Sequence, residues 1–61
     1  MGNSLMNEIY RVEWEGRPDG ELMAELKRIS EISLREPIHI TRPALAEKFL
    51  VLGEIWKKRH G

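Results

Sequence analysis

Not one cysteine occurs in the 61 residues, and only two tryptophans, one tyrosine and one phenylalanine supply aromatic surface. Without cysteine there are no disulfides and no thiolate metal sites, a composition that fits an intracellular chain. His39 and His60 lie far apart and lack ligand spacing, so neither metal nor cofactor is expected. No apolar run approaches the ~18 residues that would cross a membrane, and the start, Met1 to Met6, lacks the charged and apolar regions of a signal peptide. The start resembles a myristoylation signal, except that Met6 stands where such a signal needs Ser or Thr. A cytoplasmic protein with no membrane partner is therefore expected.

Net charge is absent as well, with ten basic residues against ten acidic. The balance is uneven: residues 1–34 carry seven acids and four bases, residues 35–61 three acids and six bases. A neutral chain exerts no global pull on nucleic acid, so any such binding needs a local patch. Lys57, Lys58 and Arg59 are adequately explained as cations at a helix carboxy terminus, where the helix dipole favours them.

A chain this short buries only about 60% of its unfolded surface and has a marginal core. Small domains are reinforced by disulfides, metals or partners. With the first two excluded by composition, self-association, as a homodimer or a larger assembly, is the expected reinforcement.

Residues 1–7 read as a disordered tail or an expression remnant, and residues 8–61 as a single domain. Tyr10, Val12 and Trp14 alternate with Ile9, Arg11 and Glu13, the period-two pattern of a half-buried strand over Glu8–Trp14. A lone strand cannot satisfy its own backbone and requires a partner. Glu15 to Gly20 is a turn by its Gly and Pro content. Asp19 is placed to cap a first helix running from about Gly20 to Leu34, with Leu22, Leu26 and Ile29 on one face and Met23 beside them. Glu31 and Arg35 would add an i,i+4 pair if that helix reached far enough.

Pro37 disfavours helix at Glu36 and ends the element. Ile38-His39-Ile40 is a second short strand or, with only three residues, an extended connector. Thr41 would cap a second helix with Pro43 in its first turn, running to about Arg59. On that helix Leu45, Phe49, Leu52 and Trp56 share a face, and other apolar residues lie on both sides of it. A helix that is apolar nearly all round must be covered from several directions. One strand and one helix cannot do this, whereas a second copy can. The expected dimer interface is Tyr10, Val12, Trp14, Leu45, Phe49, Leu52 and Trp56.

Catalytic apparatus is not evident, and the chain is expected not to be an enzyme. Ser30 and Ser33 have no histidine partner near in sequence, His39 sits between two isoleucines, and His60 falls at an end expected to fray. Gly16 and Gly20 do not follow a phosphate-loop spacing. Glu15-Gly16-Arg17-Pro18-Asp19, with Phe49, Gly53 and Glu54 further on, resembles the small 4-oxalocrotonate tautomerases. The position matching their catalytic amino-terminal proline holds Asn7, so what that resemblance implies, as a third reading, is a tautomerase-like enzyme lacking the catalytic proline.

Three stretches together resemble the ribbon-helix-helix family of dimeric repressors: Tyr10-Arg11-Val12-Glu13-Trp14, Glu21 to Glu31, and Ile40 to Glu47. The resemblance implies an α+β fold, a strand-helix-helix chain forming an intertwined dimer with an intermolecular antiparallel ribbon. It also implies that the ribbon enters the major groove of double-stranded DNA with Ile9, Arg11 and Glu13 facing outward, while amides near Thr41 and Arg42 hold a phosphate. The first functional expectation is accordingly a small DNA-binding transcriptional regulator. The alternative is a non-enzymatic protein that binds a protein partner, which the acidity of Glu8, Glu13 and Glu15 favours.

Overall fold

The computed structural model describes residues 4–61, which form four helices: α1 Ser4–Glu15, α2 Asp19–Ser33, the single turn α3 Ile38–Thr41, and α4 Pro43–His60. Among the described residues there is no strand. This overturns the expected α+β class and the ribbon-helix-helix fold with it, because Glu8–Trp14 is helical and leaves nothing to pair into a ribbon. Residues 4–7, expected in the tail, are the first turn of α1, and residues 1–3 lie outside the described part.

The reason for the correction lies in the window. Over Glu8–Trp14 alone the apolar residues alternate, but a helix needs about 11–18 residues to reveal its period. Extended back to Ser4, the same stretch carries Met6, Tyr10 and Trp14 at spacing four, and Leu5, Ile9 and Val12 at spacings four and three. Both sets follow the i, i+3/i+4 helical rule. Tyr10 and Trp14 turn inward on α4, and the helix is held there by Asn7 Nδ2 donating to Glu47 Oε2 at 2.8 Å and by an Arg11–Glu54 ion pair.

Helix α2 lies close to its expected span, but its start is built differently. Pro18 stands at the N-cap, and its carbonyl accepts from the amides of Glu21 and Leu22, both at 3.1 Å. Asp19 caps nothing; it is inside the first turn, and its carboxylate is engaged by Arg59 and His60. The helix stops two residues short of Arg35, so the expected Glu31–Arg35 pair has no helical register to form in. Helix α3 replaces the expected strand or connector: the Pro37 carbonyl accepts from Ile40 and Thr41 at 2.8 and 2.9 Å, closing one turn over three β-branched residues. Thr41 thus ends α3 and does not cap α4, which starts at Pro43, with its missing amide harmless in the first turn.

The core is Trp14, Leu22, Val51, Leu52 and Ile55, with Tyr10, Leu26 and Trp56 packed against it, while Ile29 and Ile38 are buried further along α2 and at α3. Helices α1, α2 and α3 each pack on α4. The chain's own α1 packs on α4 and supplies part of the covering that was expected from a second copy.

Candidate interaction surface

Two clusters of side chains stand out against this frame, one between helices and one on the outside of α1. The first lies between α2 and α4. Lys48 sits one turn before Val51 and Leu52, on the inward face of α4, and its ammonium is 2.7 Å from Glu25 Oε2. Arg28 grips the same carboxylate with two bonds of 3.0 and 2.7 Å. Trp14 lies beside them, 7% exposed, with the Lys48 ammonium 5.0 Å and the Arg17 guanidinium 4.5 Å from its ring centre. Its indole Nε1 is buried without a hydrogen-bond partner among the described residues. Both contacts are cation–π pairs: Lys48 fastens α1 to α4, and Arg17 reaches the ring from the turn that follows α1.

The Arg28 hydrogen bonds, and after them the Lys48 contact, hold Glu25 down from its ordinary 4.5 to about 2, against desolvation acting the other way. A carboxyl with a depressed folded-state pKa stabilises the fold above its unfolded value and loses that contribution as pH falls towards the folded value. Acidification from about pH 4.5 to 2 should therefore cost on the order of 1–2 kcal/mol through this group, after solvent screening. Glu25→Gln should flatten that part of the stability–pH curve in thermal melts; an unchanged acid limb would show that the cluster is not formed in solution. Nothing in this cluster opens to a substrate, and its role is to hold helices together.

The second cluster is on the opposite side of α1. At about 100° per residue, Leu5, Ile9 and Val12 fall within about 60° of one another, facing away from Tyr10 and Trp14. Their exposures are 70%, 53% and 82%. Glu8 and Glu13 each lie about 40° beyond an edge of this strip, and these five residues line one open hollow. All five come from one helix, so the feature is a face and not an enclosed cavity. Glu15 extends the rim on the Glu8 side. A helix with a core strip on one side and an uncovered apolar strip on the other has more apolar surface than this fold uses.

The residues expected at a DNA interface do not form one surface. Ile9 faces outward in the strip, Arg11 turns to Glu54 on α4, and Glu13 stands on the rim with Arg17 at 3.4 Å. Thr41 and Arg42 are at the α3–α4 junction, where both side chains bond Glu36, at 2.9 and 3.0 Å. The amides of Thr41 and Arg42, expected to hold a phosphate, donate to the carbonyls of Pro37 and Ile38. Of the expected dimer residues, Trp14 and Leu52 are in the chain's own core, and Tyr10 and Trp56 pack against it. Leu45 and Phe49 are half-buried, and Val12, expected inside, is the most exposed of the seven.

Sequence reasoning passed over Leu5 because it lay in the presumed tail; the signal that would have found it is its spacing to Ile9 and Val12. It also passed over Lys48, whose place among apolar α4 residues was visible. His60 continues α4, stacks on Trp56 at 4.1 Å between ring centres and pairs with Asp19 at 2.9 Å. The Arg59 hydrogen bond, foremost, and also His60 push the Asp19 carboxyl below its ordinary pKa. Among the described residues no group of side chains could hold a metal ion, and no helix is long and apolar enough to cross a membrane. Comparison with protein-family models, with curated proteins and with solved structures gives no match.

Proposed function

We propose that this chain is a non-enzymatic interaction module of the cytoplasm, which docks a helix of a protein partner on the outward face of α1. The observation that carries the reading is the uncovered Leu5–Ile9–Val12 strip, backed onto a helix already committed to the core on its other side. Helix-on-helix docking of this kind is read through anchors at i, i+4 and i+7. A footprint of three side chains on one helix is small, which suits a transient complex. The cysteine-free composition favours the cytoplasm.

Ile9→Gln combined with Val12→Gln tests the reading, since both sites are exposed, glutamine is a good helix former that adds no charge, and the melt should shift little. Amphipathic helical peptides selected on the immobilised protein should lose their retention on the double variant. Peptides retained equally by both proteins would end the proposal. Duplex DNA provides the contrasting arm. With Arg11 and Arg42 engaged by Glu54 and Glu36, random duplex at low salt should bind weakly and no less well to Arg11→Ala. Tight, salt-dependent retention would favour a nucleic-acid function instead.

A further inference from the structure

The chemistry of the docking face restricts what can occupy it. Resting on the docking role of α1, we infer that the partner is a basic amphipathic helix of a different protein, with an apolar strip flanked by Lys or Arg. Both rims of the Leu5–Ile9–Val12 strip are acidic, Glu8 and Glu15 on one side and Glu13 on the other. The one basic residue of α1, Arg11, pairs with Glu54 on α4 and not with a rim carboxylate, while Arg59 from α4 meets Glu15 only at its backbone carbonyl. Glu13 has only an exposed contact of 3.4 Å with Arg17, a pair of the kind that contributes little and yields readily to a competitor.

A second copy of the chain does not meet these requirements. Pairing the strip with itself, parallel or antiparallel, sets carboxylates against carboxylates on both rims, which is unfavourable. The chain's own basic helix end, Lys57 and Lys58 on α4, has Leu50 as the only large exposed apolar side chain of that helix. The other large exposed apolar side chains outside α1, Met23, Leu34 and Ile40, are spread singly over α2, its carboxy-terminal end and α3, so among the described residues no helix of a second copy offers a basic-flanked strip of three. Anionic lipid and nucleic acid are opposed by the same acidic rims that favour a basic helix. Cationic flanks on the incoming helix would pair with Glu8, Glu13 and Glu15 at the periphery while the apolar anchors fill the centre, the arrangement that steers and selects partners.

The test uses the intact protein and two labelled helical peptides with the same leucine strip, one flanked by lysines and one by glutamates. In fluorescence anisotropy at low salt, the lysine-flanked peptide should bind roughly tenfold or more tightly than the other, with the gap closing as salt rises. Glu8→Gln with Glu13→Gln should narrow the gap, and Glu8→Lys with Glu13→Lys should reverse it, both variants keeping the parental melt. Equal binding of the two peptides, abolished by Ile9→Gln with Val12→Gln, would overturn the inference and leave the docking role standing. Binding of neither peptide would remove both. A dimer in sedimentation that Ile9→Gln with Val12→Gln returns to monomer would assign the face to a second copy, and phosphatidylserine vesicles retained through the same residues would assign it to a membrane. Either result would overturn the inference.

Discussion

Trp14→Ala is expected to leave the chain largely unfolded at room temperature. The ring is 7% exposed, belongs to the core cluster with Leu22, Val51, Leu52 and Ile55, and is clasped between Arg17 and Lys48. Truncating a buried tryptophan costs about 3–5 kcal/mol, and a single core of this size rarely supplies more than about 3–5 kcal/mol in total. Circular dichroism should show lost helix signal without denaturant, while Glu13→Ala, on the exposed rim, should melt within about 0.5 kcal/mol of the parent. Equal melting of the two would mean that α1 does not dock on α4. Val12→Ala sharpens the reading. On the helix described here Val12 is 82% exposed and alanine is the better helix former, so stability should hold or rise slightly. In a strand with Val12 facing inward, the same change would destabilise.

Leu52→Ala is the second large effect. Leu52 has no exposed surface and sits where both α1 and α2 reach α4, so removing it should cost about 2–5 kcal/mol, much of it from a cavity the neighbours cannot close. Leu50→Ala lies two residues away on the same helix, at 61% exposure, and should change stability by less than about 0.5 kcal/mol. Urea denaturation of the pair reads the orientation of α4 directly. If Leu50→Ala proved the more costly, α4 would be rotated from its described position, or its outer side would be covered by another molecule.

Against these particulars, the legible part of the sequence was the two long helices and the break between them. Leu22, Leu26 and Ile29 marked the inward face of α2, and Pro37 marked its limit. The apolar residues of α4 marked that helix to within one or two residues at each end. What failed was α1, where seven residues allowed an alternating pattern as readily as a helical one and the four preceding residues had been set aside. That one misreading carried the ribbon and the fold class, and α1 as a helix packs on part of the α4 surface that was expected to need a second chain. Of the three residues expected outward on a ribbon, Ile9 and Glu13 are exposed on the helix and Arg11 turns to Glu54. Val12, expected inward, faces outward, because period two and period 3.6 diverge within two residues. The turn at Ile38–Thr41 was hidden for another reason: β-branched residues suggested extension, while the carbonyl of Pro37 offered acceptors that the following amides took up.

The arrangement in which α1, α2 and α3 all rest on α4 has a consequence for the order of events in synthesis. A chain emerges from the ribosome amino terminus first, and domains fold once their parts are available. Here the helices ahead of α4 present Tyr10, Trp14 and Leu22 without the rest of their core, which is Val51, Leu52 and Ile55. Each of the early helices is also no longer than 15 residues, marginal in water by itself. The domain must therefore fold late and in one cooperative step. Until its last helix arrives, the nascent chain exposes the future core together with the α1 docking strip, and it is the period in which a cellular chaperone would find most to hold.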